Sequence, residues 1–468
     1  MIGNVARQSS LLYFVLERQV SLIKDDLLEP VDMLLNDPLL VELVSRALGR
    51  RSARSRDLGR EGMAPDRLLR CVVLKHLKQW SFRELEREVR NSLVYRMFTH
   101  FNEDEIPDFT TFCRNFGLLD EETMRQIHVR AVGLAIENGA AAGKKLRTDT
   151  TVVETNVHYP TDSALLADGV RVLTRLVRRA GAHLRGIRIV NHARSVRNRV
   201  LEIQRAARCL TDRNRKRFEE SYRRLLSVAR RVLRRSLETA ARIRPEEARR
   251  SNGLTRVRVR IERFAPLLDR VIRQTAARVF GGNTHVARKV LSFFEDHTEV
   301  IRKGKADKPT EFGRLVRIDE VENGIISNFA VLQGNPADVT GWIPALDGHM
   351  RIFARPPAIV VADRGFYSAA NASYATRLGV RTVALPARGP LSRTQKEKQK
   401  SRAFRRAQRW RAGIEARNSI VKHRYGLKRA FYRGEAGFLR YVAAGVIVNN
   451  LVATARTLVR RRIGRRVA

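Results

Sequence analysis

Three carboxylates, Asp149, Asp363 and Glu415, stand in contexts that suit divalent-metal chemistry. Asp149 lies in a run of β-branched residues, Thr148 to Val153, and Asp363 ends the apolar run Ala358-Ile-Val-Val-Ala. Both runs read as strands. Glu415 falls in a helix-like segment, Arg411-Ala-Gly-Ile-Glu415, with Lys422 two turns further on. Carboxylate oxygens are the ligands that Mg2+ and Mn2+ prefer. Two such ions can clamp the attacking and departing oxygens of an in-line displacement, so the chemistry these residues suit is phosphodiester cleavage. On a helix, Arg411, Glu415 and Lys422 share one face, where the two cations can bind phosphate while the carboxylate holds metal. Each acid also has a plain alternative. Asp149 can be a turn or cap residue, although an idle charge among apolar neighbours is costly. Asp363 can cap a following helix, and Glu415 can pair with Arg411 or Arg417.

The elements that must position these groups follow from the pattern. Residues 1–60 read as an N-terminal helical segment ending in a basic linker, Gly49–Gly62. Residues 61–140 form a helical unit, a candidate DNA-binding domain. Its Leu68, Leu69, Val72, Val73 and Leu77 fall at helical spacing, and Ser81-Phe-Arg-Glu84 is a capping box. Residues 141–162 supply the first strand. Residues 163–300 are Arg-rich, with helical seams at Val196, Val200, Ile203, Ala207 and Leu210 and at Phe218, Tyr222, Leu225, Ala229 and Val232. That segment reads as a large all-α insertion, a helical hairpin or small bundle, whose arginine excess exceeds what i,i+4 pairing can balance. Over 301–430 the order is a hairpin (Phe312–Ile318 with Gly324–Leu332), a short helix over Asp338–Met350 interrupted near Pro344, the Asp363 strand, a helix over Ser368–Leu378, a strand over Val380–Leu385, a basic loop over Arg388–Arg402 and a helix over Ala403–Tyr425. Residues 431–468 give an amphipathic final helix and a basic tail. The fold class is therefore mixed α/β, a mixed sheet flanked by helices.

Composition narrows the partners. The chain has 468 residues, 91 Lys and Arg against 48 Asp and Glu, and a formal net charge of +43. With 43% hydrophobic residues it can pack a core, so the charge points to a polyanion such as double-stranded DNA rather than to disorder. A membrane role is disfavoured, since no apolar run of spanning length stands out. Three cysteines, Cys71, Cys113 and Cys209, form neither a disulfide framework nor a zinc pattern. The N-terminus lacks a signal-peptide layout, and the expected location is cytoplasmic, at the bacterial nucleoid. There is no Gly-rich phosphate loop, which argues against ATP use. Asn156, His158 and Asp162 follow the first strand; His158 can contact the scissile phosphate or take part in a structural hydrogen bond. Glu311 is a further candidate metal ligand.

These motifs together resemble the bacterial insertion-sequence transposases of the DDE type. The resemblance is carried by Ile106-Pro-Asp-Phe-Thr-Thr111, Leu146-Arg-Thr-Asp149-Thr-Thr, Lys308-Pro-Thr-Glu311-Phe-Gly-Arg314, Ala362-Asp363-Arg-Gly-Phe-Tyr367, and Arg411 with Glu415 and Lys422. It covers roughly residues 60–160 and 300–455. At one position the chain departs: the family signature has Tyr three residues before its Arg, where this chain has Gln408, and Trp410 is out of register. The resemblance implies an RNase H-like core in which Asp149, Asp363 and Glu415 hold two Mg2+ or Mn2+ ions. It implies cleavage at the element's ends and 3′-OH strand transfer into target DNA. Arg411, Lys422, Arg364 and His158 are the expected DNA contacts. Handling paired terminal inverted repeats implies a homo-oligomer, with a dimer the expected form. The competing expectations are a decayed or repurposed, non-catalytic DNA-binding protein and a metal-dependent nuclease that cleaves without joining.

Overall fold

The structure is a computed structural model that describes residues 25–51, 62–102, 104–187, 189–209, 211–244, 251–287, 289–302 and 310–467, the last four as backbone only. Most of the expected linker, Gly49–Gly62, and Lys308 and Pro309 of the second-strand motif lie outside the described residues.

The N-terminal region is helical: α1 (Leu28–Leu35), α2 (Pro38–Gly49), α3 (Pro65–Lys78), α4 (Phe82–Asn91), α5 (Leu93–Phe98), α6 (Phe109–Gly117) and α7 (Glu121–Glu137). Local signals set the starts. Proline opens α2 and α3, where its missing N–H costs no helical bond. At α4 the capping box forms in both directions: Ser81 Oγ accepts from the Glu84 amide at 3.2 Å, and the Ser81 amide donates to Glu84 Oε2 at 2.7 Å. Asp108 and Asp120 cap α6 and α7.

β1 (Lys145–Thr155) follows, and the chain then builds a separate compact unit from residues 157 to 298. That unit packs α8 (Asp162–Gly181), α9 (Ala193–Ala207), α10 (Asp212–Arg242) and α11 (Asn252–Val279) on their own apolar core, which includes Leu173, Tyr222, Leu225 and Leu268. The two seams read from the sequence contribute Val196 and Ile203 on α9, and Tyr222, Leu225, Ala229 and Val232 on α10, to that core.

The other unit resumes at β2 (Glu299–Ile301) and β3 (Glu311–Glu320), then β4 (Ile326–Val331), α12 (Trp342–Phe353), β5 (Ile359–Val361), α13 (Ala369–Arg377), β6 (Thr382–Ala384), α14 (Arg393–Lys400), α15 (Arg402–Arg424), β7 (Arg429–Ala430) and α16 (Gly434–Val467). The sheet runs β2-β3-β1-β5-β6, with β4 also on β3 and β7 also on β1. β1 is antiparallel to β3 and parallel to β5, and β5 is parallel to β6. This mixed sheet is consistent with an RNase H-like core.

Three expectations change. Pro344 does not interrupt a helix; it sits in the first turn of α12, where no intrahelical N–H is needed. The basic stretch after β6 is not a plain loop, because α14 forms within it behind a Ser392–Gln395 capping box. The last helix is longer than expected and, between Tyr441 and Ala455, buried on nearly all sides rather than amphipathic. Part of α16 is long and apolar enough to cross a membrane by length and composition, but 72% of that window is buried inside the protein. A helix apolar all round can equally be a core helix. α16 packs in one core with α1, α3, α7 and β4, which explains its composition. There Asn450 exchanges two 2.8 Å hydrogen bonds with the backbone of Ile326, so a polar side chain in the middle of the core is satisfied.

Candidate active site

Register brings the first two carboxylates together. Parallel pairing sets Arg147 opposite Val361; two residues further along both chains stand Asp149 and Asp363. Side chains two apart share a face of a strand, and neighbouring strands lie about 4.8 Å apart. Asp149 Oδ1 accepts from the Thr150 amide at 2.8 Å and its Oδ2 from Asn418 Nδ2 at 2.8 Å. Asp363 caps the 3-10 turn Arg364–Phe366 through a 2.7 Å hydrogen bond from the Gly365 amide to Oδ1. The capping role read as its plain alternative is thus present, and it holds one oxygen while Oδ2 keeps its acceptor capacity. At Gly365 an added Cβ would stand 2.8 Å from Asp363 Oδ1 and 2.9 Å from Asp338 Oδ2, so a larger residue would have to push both carboxylates aside.

α15 packs against β1, β5 and β6 and reaches Asp149 through Asn418. Its buried stripe, Phe404, Ala407, Ile414 and Val421, recurs at three, four and seven residues, which anchors the helix. Gln408 Nε2 donates to the carbonyls of Ala362 at 3.3 Å and Ala384 at 2.8 Å, tying together the ends of β5 and β6 beside Asp363. Gln408 stands where the resemblance implies a tyrosine. Trp410 lies under the guanidinium of Arg147, 4.7 Å from the ring centroid, and its carbonyl accepts from the same group. Gly413 makes room for that arginine, since a Cβ there would stand 2.6 Å from its Nη1. Arg147 forms a buried bidentate pair with Glu320, at 2.9 and 2.7 Å, and Arg417 adds a 3.4 Å contact.

Glu415 lies between Arg411 and Asn418 on successive turns of α15, yet its side chain is 75% exposed and faces Arg411 at 3.9 Å. The surface pairing named as its plain alternative is therefore also present. Lys422 is half-buried one further turn along, and Arg364 is exposed, its carbonyl accepting from Arg388 at 2.9 Å. His158 falls in the other compact unit, mostly exposed and 4.0 Å from Asp168. Asp162, another candidate, is buried in that unit and bound by Arg278 and by Gln274 at 3.2 Å. Glu311 is buried at the start of β3.

The donor set suits a hard divalent cation: Asp149 and Asp363 each follow the paired stretch of β1 and β5 by two residues, and both offer carboxylate oxygens. Among the described residues, however, no group of three or more His, Cys, Asp or Glu side chains stands ready to hold a metal. Glu415 would have to leave Arg411 and turn toward the strand ends. Two residues around the site were not singled out in the sequence. Asn418 is three residues after Glu415, on the same helix face, and that spacing was a usable signal. Asp338, whose Oδ1 accepts from Thr150 Oγ1 at 2.8 Å, opens a 3-10 turn far along the chain, and nothing local marked it as a site residue.

Comparison with known families gives two matches. Residues 14–118 match the family described as Transposase domain (DUF772), and residues 320–451 match the family described as Transposase DDE domain. The second span contains Asp363, Arg411, Glu415 and Lys422 and leaves Asp149 outside. Neither the curated proteins nor the solved structures give a match.

Proposed function

Because the chain belongs to the insertion-sequence transposases of the DDE type, we propose that it cuts DNA at the ends of its element and joins the freed 3′-OH ends to target DNA. The observation that supports this reading is the parallel β1–β5 register, which if continued two residues past Arg147 and Val361 leads to Asp149 and Asp363, together with the hydrogen bond from Asn418, on the helix bearing Glu415, to Asp149. In the RNase H-like core so formed, these three carboxylates would hold Mg2+ or Mn2+, two ions, once Glu415 turns from Arg411. When bound, such ions activate water and neutralise charge developing on the phosphate and on the departing oxygen.

The chain's own groups do the positioning. The Thr150 amide and Asn418 hold both oxygens of Asp149. The Gly365 amide holds Asp363, and Gln408 fixes the strand ends next to it. Arg411, freed from Glu415, and Lys422 bind phosphate on either side of the scissile bond, with Arg364 and His158 as further DNA contacts. In the first step a water oxygen attacks phosphorus and the 3′ oxygen leaves. In the second, that 3′-OH attacks a target phosphate and displaces a new 3′ oxygen. Residues 61–140, most of which lie inside the first family match, are the proposed DNA-binding domain. The partners are terminal inverted repeats and target duplex, the active form is a homo-oligomer, a dimer in the simplest case, and the location is the bacterial cytoplasm, at the nucleoid.

The test is cleavage and strand transfer with terminal-repeat duplexes in Mg2+. The reading expects nicked 3′ ends and joined products, both lost in Asp149→Asn, Asp363→Asn and Glu415→Gln. Salt-dependent binding without nicking would mark a non-catalytic transposase relative, and nicking without joining of pre-cut ends a nuclease.

A further inference from the structure

The compact unit of residues 157–298 lies outside both family matches. It holds 34 Lys and Arg against 13 Asp and Glu, a density of charge well above that of the whole chain. Where those arginines are neutralised is uneven. On α10 and α11 many pair along their own helix: Arg223 with Glu219 and Glu220, Arg224 with Glu220, Arg234 with Glu238, Arg258 with Glu262 and Arg273 with Asp269. Between α8 and α9 the arrangement differs. A cleft of about 730 Å3 is floored by apolar side chains such as Val170, Val196 and Val200 and rimmed by Arg175 and Arg178 from α8 and Arg197 from α9. All three are exposed and none has an acidic partner among the described residues. On α8, residues 171, 174, 175 and 178 fall at i, i+3, i+4 and i+7, so they share one stripe facing α9. Thr174 presents to the same cleft a buried hydroxyl without a hydrogen-bond partner. The one acid in the lining, Asp168, is neutralised by Arg171 at 2.6 Å, and burial pushes its carboxyl pKa up.

Arginines without an acidic partner occur on all four helices, but here three of them converge on one groove beside an unsatisfied hydroxyl, which forms a ready receptor for a polyanion. We propose that the α8–α9 cleft is a duplex-DNA backbone site in which Arg175, Arg178 and Arg197 each neutralise a phosphate. The choice of DNA as the polyanion rests on the transposase reading; the site itself rests on the cleft.

The test uses the full chain and a terminal-repeat duplex, with affinity measured as a function of salt. Each phosphate contact contributes about 0.9 to the slope of log K against log salt. The triple variant Arg175→Gln, Arg178→Gln, Arg197→Gln should therefore lose about 2.7 from that slope. A second triple, Arg223→Gln, Arg224→Gln, Arg234→Gln, changes the net charge equally but removes arginines already paired, and should keep most of the slope. Unaltered helicity in both variants, read by circular dichroism, shows that the unit stays folded. An unchanged slope in the cleft variant overturns the proposal. So do equal losses in both triples, which would mark diffuse electrostatics, and a loss confined to single-stranded DNA. No salt-dependent DNA binding by the wild-type chain would overturn the transposase reading itself.

Discussion

Gln408 offers the sharpest perturbation of the candidate site. Its amide bridges two carbonyls, Ala362 and Ala384, from adjacent parallel strands, and Asp363 is the next residue after one of them. A typical net hydrogen bond is worth about 1 kcal/mol, and a buried carbonyl left unsatisfied costs about 1–3 kcal/mol. Gln408→Met keeps length and helix propensity but loses both donors, so it should destabilise the unit by about 2 kcal/mol. A domain of 150–250 residues shifts by roughly 2–4 °C per kcal/mol and a larger unit by less, which predicts a fall in Tm of about 4 °C. Nicking should suffer more than stability. A displacement of about 1 Å at a reacting group can cost on the order of 100-fold, so the variant should nick about 10–100-fold more slowly with DNA affinity unchanged. Gln408→Glu sharpens the test, because its carboxylate faces two carbonyl oxygens. Its folded-state pKa is raised, so the folded state holds the extra proton and the variant regains stability as pH falls through that pKa. Differential scanning fluorimetry across pH, paired with a nicking assay, measures both effects. A Gln408→Met protein with wild-type Tm and wild-type nicking would refute the clamp.

Arg147→Met leaves Glu320, 1% exposed, with only the 3.4 Å contact to Arg417, and should cost about 3–5 kcal/mol in chemical denaturation; Arg147→Met with Glu320→Leu should recover much of that. Asn418→Asp both removes a hydrogen bond from Asp149 and sets a like charge against it, and should move the acidic limb of the nicking profile to higher pH by more than Asn418→Ala, which removes the hydrogen bond alone. In the N-terminal helices, burial opposes protonation of His100, but hydrogen bonds to Asp32 and Asp66 outweigh it and raise the pKa. Stability from His100 is then complete below its ordinary value and lost as pH rises through the raised one; thermal melts should show this loss in wild type and not in His100→Gln. Burial also opposes the charge on Asp32 and Asp66, yet hydrogen bonds from His100 and the charge of Arg70 hold both carboxyls low, so their contribution is present above the ordinary carboxylate range and fades as pH falls through the lowered values.

What could be read from the sequence was local. The apolar run ending at Asp363 became β5, the Phe312 to Leu332 hairpin became β3 and β4, and the Ser81 capping box opened α4, because each carries its signal within a few residues. α14 escaped notice because none of its residues is buried, so no apolar period marks it. α16 escaped as a core helix because burial on all sides erases the amphipathic pattern. At the site, whether Asp149 and Asp363 meet depends on strand register, which two distant segments fix jointly. Gln408 looked like a departure from a signature, and only its reach to two strand ends gives it a structural role.

In the proposed active site, Asp149, Asp363 and Glu415 come together around shared cations. Replacing Mg2+ by Fe2+ and generating hydroxyl radicals at the bound ion cuts the backbone nearest the metal, and mapping those cuts tests the claim directly. Cuts should cluster at three separate stretches, around residues 149, 363 and 415, be suppressed by excess Mg2+ and disappear in Asp363→Asn. Cuts that spare any of the three stretches, or that persist unchanged in that variant, would contradict it.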